Sequence, residues 1–329
     1  MSEEWMEMVD DYVRAREGWF SSYAFHFPKR HQDAEHARRM QEMLQRLRHH
    51  HQARGISLAS SRSTLRGVYV SPIRSGYVAI TLQIHRELAY TQQGQLFQEE
   101  RLECEQLHMK QVGQIWQIAR VIRDRAEEGS MVYRADSESA EIRGPAFNRD
   151  EYAGTDNGDA RLTYDRDKVR QYADQYWQRP NPSFRYFDED CTNFVSQCLY
   201  AGGVPINYTG RRERGWWYRS NKGSGSWSFS WTVAQSLHLY LSAKRSQPLA
   251  RRVERADQLE IGDCILYDWN GDGRFQHATI VTAKDKQGMP LVNAHTTNSK
   301  RRYWDYTDSP AWSGHTKYGF YHVNALSGG

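Results

Sequence analysis

A cysteine and a histidine in the C-terminal half of this 329-residue chain could together perform covalent chemistry. Cys191 lies in the segment DEDCTNFVSQCLYAGG, where Asp190 is a predicted N-cap and the apolar positions follow helical spacing. The first turn of a helix offers free backbone N–H groups and the positive end of the helix dipole, and both favour a thiolate. The pattern predicts an ionisable thiol, which needs a cation nearby because acidic residues precede it.

His277 is the cation that we expect beside this thiol. The segment GDCILYDWNGDGRFQHATIVTA predicts two strands joined by an Asn-Gly-Asp-Gly turn, with His277 at the start of the second strand. A third strand, LVNAHTT, would carry Asn293 and His295 on one face. In thiol catalysis the sulfur attacks a carbonyl carbon, an imidazole moves the proton, and a third polar group orients the imidazole. We predict His295 for this third role, with Asn293 as the alternative.

Other residues are candidates for contacts with a substrate. Oxyanion charge would be stabilised by the Cys191 backbone N–H and a second donor, for which Tyr186 and Asn181 are candidates. The aromatic segment that follows the helix could wall a substrate groove by stacking, or it could pack beneath an insertion. Its candidate residues are Trp216, Trp217 and Trp231.

The predicted elements form an α+β protein with two domains. Residues 1–123 contain helical patterns at 5–20 and 32–53 and then β patterns to 122, which predicts helices packed on a curved antiparallel sheet. Residues 124–163 are rich in charged and small residues and predict a linker. Residues 164–329 hold most of the chemistry-bearing motifs and form the predicted second domain.

Composition narrows the functional classes. Lys and Arg total 44 against 40 Asp and Glu, and they are spread along the chain, which argues against a dedicated nucleic-acid binder. No apolar stretch approaches the ~20 residues of a membrane span, and no secretory signal is visible, so we expect a cytoplasmic protein. Four cysteines without paired spacing predict neither a disulfide framework nor a zinc site. We expect no cofactor and no metal.

The quoted motifs carry a family resemblance. DCTNFVSQCLYAGG, GDCILYDWNGDGRFQHATIV and NAHTT resemble the putative amidase domain family, a branch of the papain-like NlpC/P60 and CHAP cysteine hydrolases, over roughly residues 165–325. The resemblance implies a papain-like fold, Cys191 as nucleophile, His277 as base and His295 as third member. It also implies a bacterial hydrolase of a peptide or other amide, with peptidoglycan peptides the commonest substrates among relatives.

A second resemblance concerns the first domain. LHMKQVGQIWQIARV is similar to the last hairpin of domains of the nuclear-transport-factor-2-like kind. For the whole chain we predict a cysteine-dependent amidohydrolase or peptidase. Two alternatives use the same scaffold: a non-catalytic module that binds a peptide or glycan, and an acyltransferase.

Overall fold

The computed structural model describes residues 2–28, 30–72, 75–123, 164–219, 225–243 and 249–324. The protein mixes helices with antiparallel sheets and divides into two compact units. Unit 1 comprises Met1–Arg125 with Asp305–Trp312, and unit 2 comprises Ala126–Trp304 with Ser313–Gly329. The linker predicted at 124–163 lies outside the described residues.

Unit 1 packs two helices with a four-stranded antiparallel sheet in the order β1-β2-β3-β4. The bounds are α1 Ser2–Ser22, α2 Ala34–Ala53, β1 Ile56–Val70, β2 Tyr77–Gln92, β3 Gln95–Val112 and β4 Ile115–Arg123. Buried positions alternate along β3 because successive side chains of a strand point to opposite faces. The apolar core lies between these strands and the apolar faces of both helices.

The segment Asp305–Trp312 groups with unit 1 although the sequence analysis assigned it to the second domain. Asp308 is buried and forms an ion pair with Arg101, and its carboxylate lies 3.8 Å from the Arg86 guanidinium. A buried guanidinium needs a counter-charge, and the distant segment supplies one that no local pattern indicates.

Unit 2 is built on a six-stranded antiparallel sheet in the order β11-β10-β9-β8-β12-β7. These strands are β7 Ala250–Val253, β8 Cys264–Asp268, β9 His277–Lys284, β10 Pro290–Ala294, β11 Ser299–Tyr303 and β12 Lys317–Val323. The central strands β8, β9 and β10 are almost entirely buried. These buried strands form a rigid support for the residues at their ends, such as His277 at the start of β9.

Helices and a short hairpin complete unit 2. Their bounds are α3 Arg166–Tyr176, α4 Cys191–Ala201, β5 Tyr218–Arg219, β6 Ser226–Trp227, α5 Phe229–Thr232 and α6 Ala234–Leu241, with a 3₁₀ turn at Ala256–Gln258. Helix α4 packs against β9 and α3. It ends at Ala201 with Gly202 as its C-cap, followed by Gly203 with φ 94°, as the glycine pair predicts.

The turn between β8 and β9 forms where the Asn-Gly-Asp-Gly motif predicts it. Both carboxylate oxygens of Asp268 accept backbone N–H groups of the turn, from Gly271, Asp272 and Gly273. Gly271 and Gly273 adopt φ values of 71° and 88°, which favour glycine. Among the described residues, no helix is long and apolar enough to span a membrane.

Candidate active site

Cys191 is the first residue of α4 and is only 5% exposed. Its sulfur accepts a hydrogen bond from the backbone N–H of Ala278 and lies 3.7 Å from the Thr192 hydroxyl oxygen. Because Ala278 follows His277 at the start of β9, the sulfur lies against the stretch of strand that carries the imidazole. The helix N-terminus and the strand N-terminus therefore meet at the predicted nucleophile.

The thiol is protonated in this environment. Burial raises the pKa of the Cys191 thiol to about 11, and the carboxylates of Asp190 and Glu189 also raise it, whereas Thr192 and the Ala278 N–H lower it. The position of Cys191 in the first helical turn predicted an ionised thiol. That expectation differs from the structure because desolvation of the sulfur outweighs the favourable backbone groups.

His277 is fully buried at the start of β9. Its ring packs against Tyr267, at 5.4 Å between ring centroids, and stacks on Trp269 at 5.9 Å. Tyr267 is opposite His277 in the β8–β9 register, and its hydroxyl donates to the backbone oxygen of Trp304. The aromatic rings restrict the orientation of the imidazole.

Asp190 connects the start of α4 to two other segments. Its Oδ2 lies 2.6 Å from Nδ1 of His295, and its Oδ1 accepts from the Phe187 backbone N–H at 3.0 Å and from Asn193 Nδ2 at 2.8 Å. Its own N–H donates to the Thr296 hydroxyl. The predicted N-cap bond from the Asp190 side chain to the helix backbone is absent. The Asp190 carboxylate instead connects the loop before α4, the helix α4 and the turn after β10.

His295 is in the turn after β10 rather than on the strand with Asn293. Its Nε2 donates to the Tyr176 backbone oxygen at 2.7 Å, and its ring stacks on Phe194 at 4.1 Å. Because a carbonyl oxygen only accepts, Nε2 is the donor in this bond, and Nδ1 faces the Asp190 carboxylate. Both ring nitrogens of His295 therefore have hydrogen-bond partners, Asp190 at the N-terminus of α4 and the backbone oxygen of Tyr176.

Asn293, the alternative third member, belongs to a separate polar group. Its Nδ2 donates to Asp174 at 3.0 Å, and its Oδ1 accepts from the Thr282 hydroxyl at 2.7 Å and from the Arg301 N–H at 3.0 Å. Arg301 also pairs with Asp174 at 2.6 Å. These bonds fix strands β9, β10 and β11 to helix α3.

The two oxyanion candidates have very different surroundings. Asn181 is buried, donates to the Tyr172 hydroxyl at 2.9 Å and accepts from the Ser183 N–H. The side-chain amide of Asn181 therefore stabilises the loop before α4. Tyr186 is 52% exposed on the same loop.

The three candidate tryptophans are buried and hydrogen-bonded. Trp216 donates to the Ser196 hydroxyl at 3.0 Å, and Trp231 donates to Asn193 Oδ1 at 2.8 Å. Trp217 donates to the backbone oxygen of Arg214 at 3.0 Å. Rings with almost no exposed surface cannot stack on a substrate in this conformation, so these residues fit the packing interpretation.

The polar residues of α4 were not recognised from the sequence. Asn193, Ser196 and Gln197 are buried, although the sequence pattern predicted burial only for the apolar stripe of the helix. Each one satisfies an aromatic polar tip: Asn193 and Ser196 accept from tryptophans, and Gln197 accepts from the Tyr172 hydroxyl at 2.7 Å. The high tryptophan and tyrosine content of the sequence was a signal for such buried polar residues, because buried Trp N–H and Tyr O–H groups need hydrogen-bond partners.

Comparison with known proteins gives a family match for this region. Residues 163–321, about half of the chain, match the family model described as the putative amidase domain. The matched region contains Cys191 and His277 together with all of α4 and the central strands.

Two curated proteins of Bacillus subtilis (strain 168) are similar to the chain. The uncharacterized protein YhbB is 49% identical over 160 residues, which are 49% of this chain and 50% of that protein. The uncharacterized protein YjcM is 27% identical over 136 residues, which are 39% of this chain and 30% of that protein. The aligned region thus spans half or less of either relative. No solved structure matches the chain significantly.

Proposed function

We propose that unit 2 is a hydrolase of amide bonds in which Cys191 is the nucleophile and His277 the base. The observation that carries the proposal is the position of the Cys191 sulfur, at a helix N-terminus and against the backbone that presents His277. The match of this region to the putative amidase domain supports the same reaction class. The protein would then be a cysteine-dependent amidase of the papain-like kind.

The raised thiol pKa determines how the first step proceeds. Because the resting thiol is neutral, His277 removes its proton as the sulfur attacks the amide carbon, and the S–C bond forms in a tetrahedral intermediate. His277 then gives the proton to the leaving amine as the C–N bond breaks. Water hydrolyses the resulting thioester with His277 again as base, which regenerates the thiol and releases a carboxylic acid.

Backbone groups at the start of α4 support the oxyanion. The N–H groups of the first turn of a helix have no partner within the helix, and the N–H of Cys191 belongs to the same residue as the attacking sulfur. Tyr186 remains a candidate second donor on the exposed side of the preceding loop. His295 has a different role in this proposal: it positions Asp190, and through Asp190 the start of α4.

Alkylation tests the proposal through the pH dependence of the thiol. In a Cys104→Ser background, which removes the half-buried thiol of unit 1, iodoacetamide should modify Cys191 before Cys198 and Cys264, because burial raises the pKa of both further above the usual value. The rate should rise about tenfold per pH unit between pH 7 and pH 10, because the thiolate fraction rises tenfold per unit below the pKa.

Activity is measured on the same samples with a library of synthetic N-acetylated peptides, in which each cleaved amide releases a primary amine. We expect amine release to fall in proportion to modification of Cys191. Cleavage that survives complete modification, or the lack of any cleavage by the unmodified chain, would contradict the proposal.

A further inference from the structure

Five arginines on the surface of unit 2 form what we call the arginine cluster. Its members are Arg185, Arg211, Arg212, Arg214 and Arg219. All five are exposed, and none forms an ion pair with another described residue. The same segments contribute three exposed carboxylates, from Asp188, Glu189 and Glu213, so the surface keeps a positive balance.

Aromatic rings hold two of these guanidinium groups in place. Arg185 lies 5.4 Å and Arg212 5.3 Å from the centroid of the Trp227 ring, so the two charges are within about 11 Å of each other. Arg212 also lies 4.8 Å from the Phe229 ring, and its Nε donates to the Trp227 backbone oxygen. Stacking uses the face of a guanidinium and leaves in-plane N–H donors free for an anion.

The arginine cluster is tied to the helix that begins with Cys191. The backbone oxygen of Arg185 accepts from Asn193 Nδ2 at 2.9 Å, and Asn193 is the third residue of α4. The Arg185 N–H donates to the Tyr218 hydroxyl on β5, which pairs with Trp227 on β6. One continuous set of hydrogen bonds therefore fixes Arg185 relative to the first turn of α4.

We propose that Arg185 and Arg212 select an acidic peptide, in which carboxylate side chains flank the amide that Cys191 attacks. This inference rests on the proposed function for the reaction and adds the class of its substrate. Carboxylates two residues apart project from the same face of an extended peptide and are about 7 Å apart, which lies within the separation allowed for the two guanidinium groups. Arginine binds carboxylates through paired N–H donors.

Peptide binding to the full chain with Cys191→Ala, which removes turnover, tests the inference. The probes are two fluorescent peptides of equal length, one with glutamates and one with glutamines at the same positions. We expect the glutamate peptide to bind about tenfold more tightly at low salt, and Arg185→Gln/Arg212→Gln to remove that difference. The control Arg251→Gln/Arg252→Gln removes the same charge from exposed positions of β7 and should retain the preference.

Two outcomes would overturn the acidic-peptide site. In the first, the β7 control weakens binding of the glutamate peptide as much as the test pair does, which would indicate only general charge attraction. In the second, inorganic polyphosphate displaces the fluorescent glutamate peptide more effectively than the unlabelled glutamate peptide does, when both competitors are compared at the same concentration of negative charges. This result would indicate a site for phosphate polymers.

Turnover by the wild-type chain separates this inference from the proposed function. Equal cleavage of both peptides would contradict the substrate class and leave the hydrolase proposal intact. Selective binding of the glutamate peptide without cleavage would support the arginine cluster and contradict hydrolysis.

Discussion

Replacing Cys191 by alanine should lower kcat for amide hydrolysis by at least about 10⁴-fold, because the proposed acyl intermediate forms on this sulfur. The substitution removes a single sulfur atom from a buried position, so we expect the chain to keep its fold. The measurement is amine release from N-acetylated peptides under single-turnover conditions, with the fold checked by circular dichroism.

Cys198→Ala is the matched control for this variant. Cys198 is also buried and lies on the same helix, but it belongs to the apolar core that also contains Val169 and Phe194. We expect Cys198→Ala to retain kcat and to lower the free energy of unfolding by about 1 kcal/mol, because it leaves a small cavity. A folded Cys191→Ala variant that hydrolyses amides as fast as Cys198→Ala would disprove the assignment of the nucleophile.

Breaking the Asp190–His295 pair should have the second largest effect. Both side chains are about 1% exposed, and removal of one partner from a buried hydrogen bond typically costs about 1–3 kcal/mol of stability. We expect Asp190→Asn and His295→Gln each to lower kcat by about 10²-fold, because the start of α4 loses the bond that holds it to the turn after β10.

The pH dependence of Cys191 distinguishes this positioning role from a purely structural one. The Asp190 carboxylate raises the pKa of the thiol, so Asp190→Asn should shift iodoacetamide labelling of Cys191 to lower pH. His295→Gln retains that carboxylate and should not shift labelling to lower pH. A shift of Cys191 labelling to lower pH in both variants, or in neither variant, would contradict the role that we assign to this pair.

The sequence predicted much of the fold around the site because its strongest signals are local. The apolar stripe from Phe194 to Leu199, with the glycine pair after it, predicted helix α4 almost to the residue. The Asn-Gly-Asp-Gly turn placed His277 at the start of β9, where the structure has it. Both features depend on neighbouring residues, which a single sequence contains.

The parts that could not be predicted depend on contacts across the chain. His295 was expected on a strand beside Asn293, but β10 ends at Ala294, and Thr296 and Thr297 take positive φ values in the turn that follows. The partner of His295 is 105 positions earlier in the sequence, at Asp190. Periodicity carries no information about such a pairing, and the same holds for the desolvation that protonates Cys191.

Locating a trapped acyl group tests the central claim most directly. The full chain is mixed briefly with an activated acetyl ester, quenched in acid, digested and mapped by tandem mass spectrometry. We predict an acetyl thioester on Cys191 that forms in the wild-type chain and is strongly reduced in His277→Gln. An acetyl group found reproducibly on another cysteine or on a serine, with Cys191 unmodified, would contradict the account.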